Sequence, residues 1–490
     1  MPKAATGGQK ARTADNPLEA KPILGKLSGS AYESFSTIRE SIRTYINEPN
    51  LQPDSFPLRM SYTVLSRSFR RQQVHIIANF RTISTTTAPA AMSKIIVGPS
   101  EIKGERIKGA HWKNDNGTAF KNPWSSFNMP TAWSLAKFGY QLATFKDDTV
   151  KNAKALIPHV KPNWGADLPR KDLKATWLGH ACTLIEMPAV ASQVKGNNEG
   201  QRGVRVLFDP VLGPRMAFWG LGPARESTPP CEIEDIPEID VIAISHNHYD
   251  HLDLPTLTTL LKTQRAKYSS SPVLLLPLNN RHIVSGLPID KGKVIELDWW
   301  EGREIEVEGV GKVRLVCTPC QHSTARYPWD RDNSLWSSWV IQDQSSTEGT
   351  NSASVWFGGD TGYCTMHMDM HTGTHPTVTN PKALPQDVCP AFKEIGERLG
   401  PFTLGLIPIG AYSPRLVMSP LHAAPVDSVR MFEDTKCKQA IAIHWGTFRM
   451  TNERFTEPPE KLEEAMEEAG LETSLFNVCK LGESRSYKVD

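Results

Sequence analysis

Four side chains of the kinds that bind metal ions lie within six residues of one another, at His246, His248, Asp250 and His251. They follow directly after the apolar run Val241–Ile244, which is typical of a buried strand. A tight turn after a strand can bring such side chains together, and imidazole with carboxylate is a ligand set suited to Zn, Fe or Mn. A turn that only caps the next helix does not need this combination, so the sequence predicts a metal centre here.

Three further side chains share one setting, a polar residue shortly after an apolar run. They are His322, Asp360 and His444. A single histidine at the end of a strand is usually an ordinary polar residue. Three such positions together with the cluster favour one shared site, and a pair of metal ions needs about seven ligands including a bridge.

The elements that must position these residues are apolar runs of strand length, with helical patterns between some of them. The predicted strands are Lys174–Met187, Val204–Asp209, Val241–Ser245, Val273–Leu276, Val313–Thr318, Trp336–Ile341, Val355–Gly358, Leu404–Pro408 and Ala440–His444. The first two predict a hairpin with a long loop. The predicted helices are Ser134–Phe145, Leu254–Lys267, Pro390–Leu399, Pro425–Asp434 and Pro458–Glu468. Strands in runs, followed only in part by helices, favour an α/β sandwich over an alternating barrel.

The order His-x-His-x-Asp-His, then a His, then Gly-Asp, then a late His resembles the metallo-β-lactamase superfamily. Several phrases resemble, more narrowly, its N-acylphosphatidylethanolamine-hydrolysing phospholipase D branch. They include Trp177-Leu-Gly-His180, Phe208-Asp209-Pro, Ser245 to Asp253, Glu296 to Trp300, Gly359 to Tyr363, Ile409 to Tyr412, Ala442 to Thr447 and Gly482 to Arg485. The resemblance covers roughly residues 120–490. It implies the αββα sandwich of that superfamily.

The resemblance also implies roles for individual residues around two zinc ions. One ion would be held by His246, His248 and His322, the second by Asp250, His251 and His444, with Asp360 bridging them. Asp209 and His180 match family positions that orient ligands, and His422 matches a histidine near the site that would assist the leaving group. A capping or surface role for His422 is the alternative.

The activity implied by the resemblance is that of a di-zinc phosphodiesterase. The enzyme would hydrolyse N-acylphosphatidylethanolamine to N-acylethanolamine and phosphatidic acid as a peripheral protein on a membrane surface. The resemblance is also compatible with a homodimer. The alternatives are a related hydrolase of a lactone, thioester or nucleic acid, and a non-catalytic lipid-binding protein. The formal net charge of +2 argues against a nucleic-acid partner, because phosphate binding requires a basic excess. No apolar run approaches the ~18 residues of a membrane span.

The amino-terminal part of the chain differs from the rest. We expect a disordered, basic extension over residues 1–100, a flanking segment that packs on the core over 101–170, and the hydrolase domain over 171–490. Within the extension, Met60–Ser100 has four Arg and no Asp or Glu, as in a mitochondrial transit peptide. This composition predicts a mitochondrial location for a chain that begins at Met60, and a basic linker is the alternative.

Three other features have weaker links to function. An insertion over residues 365–389 carries His367, His371 and His375, which we interpret as a surface loop. Cys317 and Cys320 have the spacing of a redox motif, but no thioredoxin-like pattern surrounds them and packed cysteines are expected. The loop with Phe218 and Trp219 could enter a lipid interface or pack in the core.

Overall fold

The computed structural model describes residues 94–102, 106–190, 202–216, 222–345, 352–366 and 387–489. Contacts divide the chain into Met1–Ala88 and Pro89–Asp490, and the description below concerns the second unit. Residues 60–93 of the predicted leader lie outside the described residues. So do Phe218, Trp219 and the three histidines of the insertion.

The described residues form fifteen strands. In chain order they are β1 (Ile95–Val97), β2 (Leu173–Gly179), β3 (Cys182–Glu186), β4 (Arg205–Phe208), β5 (Val241–Ala243), β6 (Val273–Pro277), β7 (Val294–Leu297), β8 (Gly302–Val307), β9 (Gly311–Thr318), β10 (Ser338–Asp343), β11 (Ser354–Phe357), β12 (Leu404–Pro408), β13 (Ala440–Ile443), β14 (Phe476–Asn477) and β15 (Ser484–Tyr487). They build two sheets. One has the order β15-β2-β3-β4-β5-β6-β7 and the other the order β1-β8-β9-β10-β11-β12-β13-β14.

Eight α-helices accompany the strands in the part of the chain that the structure describes. They are α1 (Ala132–Thr144), α2 (Asp148–Lys151), α3 (Ala153–Leu156), α4 (Leu254–Tyr268), α5 (Ala391–Arg398), α6 (Arg415–Met418), α7 (Pro425–Asp434) and α8 (Glu457–Glu468). Short 3-10 turns occur at Ile233–Asp235 and Lys291–Lys293.

The two sheets face each other across an apolar core. Phe208 of β4 and Phe357 of β11 stack across it with ring centroids 4.3 Å apart. Alternate residues of the strands point to opposite faces. The outer face of the seven-stranded sheet, with Leu207 of β4, therefore packs against Leu257 and Leu260 of α4. Phe392 of α5 contacts the other sheet, and the result is the αββα sandwich that the sequence predicted.

The strands run antiparallel from β15 to β4 and parallel from β4 to β7. In the other sheet β11, β12, β13 and β14 are parallel. Parallel strands present their carboxyl ends at a common edge of a sheet, where ligands usually bind. Both sheets therefore bring polar residues to one edge of the sandwich.

The segment before β2 packs on this core. Trp112, Phe120 and Ile157 belong to the main apolar cluster. The carboxylate of Asp298 accepts hydrogen bonds from the indole of Trp112, at 2.9 Å, and from the ring of His111, at 2.6 Å. These contacts fasten residues 111–157 to the sandwich.

The structure corrects three expectations. The run Lys174–Met187 is itself a hairpin, β2 and β3, because the chain turns at His180 and Ala181, and β3 then pairs with β4. The strand Ile95–Val97 pairs with β8, so the ordered part begins before residue 100. Strands β7, β8, β14 and β15 had no predicted counterpart. The five predicted helices are present within two residues of their expected ends.

Candidate metal centre

The candidate ligands lie at the carboxyl ends of strands from both sheets. His180 follows β2, Asp209 follows β4, and His444 follows β13. All three have positive φ, at 53°, 37° and 63°. Such angles are uncommon outside glycine and cluster at functional sites, where the surrounding structure enforces them. Here they turn the chain at the strand end.

Three imidazoles form one group, which we call the triad: His246, His248 and His322. The Nδ1 atom of His248 lies 2.9 Å from Nε2 of His246 and 3.3 Å from Nε2 of His322. Three nitrogens bound to one tetrahedral zinc ion lie about 3.3 Å apart, which the observed separations approach. The three side chains are close enough to share one cation.

The far sides of two triad rings are held by neutral acceptors. His322 donates from Nδ1 to the carbonyl of Leu421, at 2.9 Å. His246 places Nδ1 2.9 Å from the hydroxyl of Ser245. A ring that donates through Nδ1 keeps the Nε2 lone pair for a metal ion, which is how metal-binding histidines are usually oriented.

A second group, which we call the carboxylate set, consists of Asp250, His251, His444 and Asp360. The Oδ1 atom of Asp360 lies 2.9 Å from Nε2 of His444 and 3.1 Å from Nε2 of His251. The Oδ2 atom of Asp250 lies 3.5 Å from Nε2 of His251 and 4.0 Å from that of His444.

Three atoms at the middle of the carboxylate set, Oδ1 of Asp360 and both Nε2 atoms, are buried and make no hydrogen bond. Buried polar atoms normally have partners, because leaving them unpaired costs about 1–3 kcal/mol each. A carboxylate oxygen and two ring nitrogens that converge in this way fit a cation. The residues of this set therefore suit a metal ion.

Asp360 lies between the two groups. Its Oδ1 faces the carboxylate set, as described, while its Oδ2 lies 3.9 Å from Nε2 of His246 and 3.8 Å from Nε2 of His322. The two oxygens of one carboxylate therefore point to different ligand groups. This is the arrangement of a bridging ligand.

Asp209 and His180 contact the carboxylate set from behind. Asp209 accepts a hydrogen bond from Nδ1 of His251 at 2.7 Å and two more from the backbone nitrogen and hydroxyl of Ser245. His180 lies with Nε2 3.0 Å from Oδ2 of Asp250. Both residues are in a position to orient a ligand, which is the role that the family resemblance implies.

His422 faces the same centre. Its Nδ1 atom lies 3.8 Å from Oδ2 of Asp360, and its ring centroid lies 5.2 Å from that of His322. The alternative of a surface position does not fit this placement. Burial lowers the pKa of His422 to about 4.

The two groups differ in charge. Burial lowers the pKa of His246 and His322 well below the usual value, so both rings are neutral at pH 7. Burial alone would raise the pKa of Asp360, but the neighbouring His251 and His444 hold it well below its usual range. The triad is therefore neutral, and the carboxylate set contains ionised groups.

One functional contact escaped the sequence analysis. Arg326 donates from Nη1 to the carbonyls of Asn247, at 2.8 Å, and Leu252, at 2.9 Å. Its guanidinium also lies 4.0 Å from the ring centroid of Tyr249. Arg326 thus fastens both ends of the turn that supplies four candidate ligands. An isolated arginine carries no sequence signal for such a role.

Cys317 and Cys320 are both buried and unpaired. Burial raises the pKa of both thiols well above the usual value, so neither is a reactive thiolate. They are packed core residues, as expected.

Comparison with known proteins adds to this geometry. Residues 204–380 and 386–445 match the family model described as "Beta-lactamase superfamily domain". "N-acyl-phosphatidylethanolamine-hydrolyzing phospholipase D 1" of Caenorhabditis elegans is 31% identical over 378 residues, which are 75% of this chain and 92% of the relative. The chain belongs to the N-acylphosphatidylethanolamine-hydrolysing phospholipase D family of the beta-lactamase superfamily.

Two further relatives extend the comparison. An uncharacterised protein of Mycobacterium tuberculosis is 32% identical over 320 residues, 64% of this chain and 69% of the relative. A Saccharomyces cerevisiae protein named "N-acyl-phosphatidylethanolamine-hydrolyzing phospholipase D, mitochondrial" is 28% identical over 385 residues, 73% of each chain. As a member of the N-acylphosphatidylethanolamine-hydrolysing phospholipase D family, the chain is a metal-dependent hydrolase. Among the described helices, none has the length and apolarity to cross a membrane.

Proposed function

We propose that this protein is a zinc-dependent phospholipase D that hydrolyses N-acylphosphatidylethanolamine to N-acylethanolamine and phosphatidic acid at a membrane surface. The observation that carries the proposal is the carboxylate of Asp360, whose two oxygens face two separate ligand groups. The names of the relatives in Caenorhabditis elegans and Saccharomyces cerevisiae support the same substrate.

In this proposal the triad would hold one Zn²⁺ ion and the carboxylate set a second, and Asp360 would contribute to both. Two such ions, when bound, would supply a more acidic water and stabilise the developing charge of a phosphoryl displacement. The protein's own residues fix the geometry: Asp209 and His180 orient His251 and Asp250. His422, beside Asp360, assists the leaving N-acylethanolamine oxygen.

The test uses the purified full-length protein, loaded with Zn²⁺, on bilayers that contain N-acylphosphatidylethanolamine in water enriched in ¹⁸O. We expect N-acylethanolamine without label and phosphatidic acid with one ¹⁸O, because water attacks phosphorus and the bond between phosphorus and the headgroup oxygen breaks. Label in the N-acylethanolamine, or no cleavage, would refute the proposal. Lactone, thioester and nucleic-acid substrates measured in parallel decide between this function and a related hydrolase. Binding without any turnover would indicate a lipid-binding protein.

We also propose a mitochondrial location. The acid-free stretch Met60–Ser100 supports it, as does the word "mitochondrial" in the name of the yeast relative. Chains that begin at Met1 and at Met60, each with a carboxyl-terminal fluorescent tag, would be followed by microscopy and amino-terminal sequencing. Import and trimming of the Met60 chain are expected. A diffuse, untrimmed Met60 chain would mean that the stretch is only a linker.

A further inference from the structure

The loop after His322 exposes a stacked pair of aromatic rings. Trp329 is 77% exposed and Tyr327 is 38% exposed. Their ring centroids are 5.2 Å apart and their planes differ by 4°. Burial of a large aromatic side chain away from water is favourable. Elsewhere in this protein Trp177 and Trp356 are fully buried. A stacked, water-exposed pair therefore indicates an interaction surface.

A third apolar side chain extends this surface. Met129, just before α1, is 37% exposed, and its sulfur lies 3.1 Å from Nη2 of Arg331 in the same loop. Two segments distant in sequence thus meet at the surface. We call Met129, Tyr327 and Trp329 the aromatic patch.

The loop that carries the patch is held in place by its own acidic residues. Oδ1 of Asp330 accepts hydrogen bonds from the backbone nitrogens of Arg326 and Tyr327, both at 2.9 Å. Asp332 donates from its backbone to the carbonyl of Thr324 at 2.8 Å. Because the turn is fixed in this way, Trp329 projects into solvent in a defined position.

The patch adjoins the metal centre through Arg326. This residue precedes Tyr327, lies over the ring of Tyr249 and binds the carbonyl of Asn247. Tyr249 follows His248, the one triad histidine that is not fully buried. A partner that binds the aromatic patch would therefore lie next to the accessible side of the candidate metal centre.

The charges around the patch favour an anionic surface. The side chains of Arg331 and Lys113 are each 46% exposed, whereas that of Asp332 is 16% exposed and contacts the ammonium of Lys113. Asp332 also lies 3.8 Å from the guanidinium of Arg331, so one carboxylate neighbours two cations, and both cations are more exposed than it is. Tryptophan and tyrosine with neighbouring basic residues are typical of protein surfaces that lie at a lipid headgroup layer.

We propose that the aromatic patch docks this protein on a bilayer that contains anionic phospholipid and so presents the metal centre to lipid headgroups. The substrate drawn from that bilayer follows from the function proposed above. The docking itself depends only on the patch. A second copy of the chain is the competing occupant of this surface.

The test compares the full-length protein with the double variant Tyr327→Ser/Trp329→Ser in flotation on vesicles of phosphatidylcholine and phosphatidylglycerol without N-acylphosphatidylethanolamine. We expect the variant to bind at least about tenfold more weakly, since withdrawing only about 55 Å² of apolar surface from lipid accounts for that factor. The control is Tyr268→Ser, at the far end of α4, about 21 Å from the helix start beside the centre. Its binding should match that of the unchanged protein.

The outcomes separate docking from the proposed function. Unchanged vesicle binding by the double variant overturns the docking proposal, even if the protein cleaves N-acylphosphatidylethanolamine. Weaker binding supports docking, even if the unchanged protein proves inactive on that lipid and the proposed function fails. A dimer that the double substitution converts to a monomer, with vesicle binding unchanged, assigns the patch to a second copy and also overturns the proposal.

A second measurement tests the docking proposal if the double variant does not fold. Trp329→Cys, labelled with an environment-sensitive fluorophore, should show a blue shift when vesicles are added, and Tyr268→Cys should show none. Equal shifts at both positions, or none at either, contradict docking through the patch. For an active enzyme, the double variant should retain full turnover of a short-chain substrate dissolved as monomers and lose it only on vesicles.

Discussion

The triad and the carboxylate set share a loop and a bridging residue, yet they are built differently. The triad consists of neutral rings held by a carbonyl and a hydroxyl, and His248 is only partly buried. The carboxylate set has two carboxylates, is fully buried, and is backed by a third carboxylate at Asp209. Attraction between charges is stronger where water is excluded. A cation in the carboxylate set should therefore be bound more tightly than one in the triad.

The difference shows how one short turn can build two unlike sites. His246 and His248 enter the triad, and Asp250 and His251 enter the other group. The second sheet then adds one histidine to each, and Asp360 to both. The contrast between the groups comes from the two carboxylates among the candidate ligands of the carboxylate set and from the groups that lie behind each ligand.

The largest effect on activity is expected at Asp360, the one residue that belongs to both ligand groups. Replacement by Asn keeps the shape but removes the charge that faces both groups. We expect activity to fall by about a thousandfold or more, equivalent to about 4 kcal/mol of lost stabilisation, and metal content to fall by at least one ion per chain. Turnover assays and elemental analysis measure both. Asp343→Asn is the matched control, because Asp343 is also buried but lies at the end of β10 that is remote from the site, about 17 Å along the strand from Ser338. Full occupancy of both sites in Asp360→Asn would contradict a bridging role.

A smaller effect is expected at Asp209, which contacts His251 of the carboxylate set directly and reaches His246 of the triad only through the hydroxyl of Ser245. Asp209→Asn weakens the hydrogen bond that orients His251, and loss of such a contact typically lowers metal affinity by about 10–100-fold. Competition with a chelator of known affinity measures it for each ion. The affinity for the ion in the triad should fall much less, because Asp209 reaches His246 only through Ser245. Equal weakening of both ions would show that Asp209 supports the whole loop.

Removal of metal from the unchanged protein tests directly whether the triad and the carboxylate set differ in how tightly they hold an ion. We expect two phases with a chelator, separated by about tenfold in rate, because one partly exposed site and one buried site with two carboxylates differ in access and in charge. The fast phase should be missing in His248→Ala, which lacks a triad ligand. A single phase that releases both ions together would mean that the two groups behave as one site.

The smallest effect is expected at Arg326, which fastens the loop shared by both groups. Arg326→Met keeps the stem against Tyr249 but removes the donors to Asn247 and Leu252. The loss of two hydrogen bonds at a partly exposed site should accelerate both phases of metal release about fivefold to tenfold. Arg326→Lys, which can restore one donor, should lie between. Acceleration of one phase alone would show that the loop is held in two independent halves.

The candidate ligands could be recognised in the sequence because each follows an apolar strand, where burial and polarity change within a few residues. His322, Asp360 and His444 come from three different strands, yet all were recognisable by that change. The orientation of each ring could not be predicted from the sequence. The short distance between Nδ1 of His248 and Nε2 of His246 depends on how the two sheets pack.

Features outside the strand pattern were missed for a physical reason. Arg326, Tyr327 and Trp329 lie in an irregular loop that shows neither helical nor strand periodicity. Residue type alone does not tell which of these side chains is buried and which is exposed. Strands β14 and β15 are short or polar, and they form because a neighbouring strand offers free hydrogen-bonding groups. The fold class follows from the pattern of apolar residues, whereas the surface next to the site depends on how an irregular loop packs.

The carboxyl-terminal strand has a consequence for inherited sequence variation. Ser484–Tyr487 pairs with β2, the strand that ends at His180, and the backbone of Gly482 donates to the carbonyl of Trp177. A premature stop codon shortly before residue 482 would leave every candidate ligand encoded, yet it would strip the partner from β2 and leave an unpaired sheet edge prone to aggregation. Such an allele should behave as a loss-of-function allele through low protein abundance, although it would look harmless when judged by active-site residues alone.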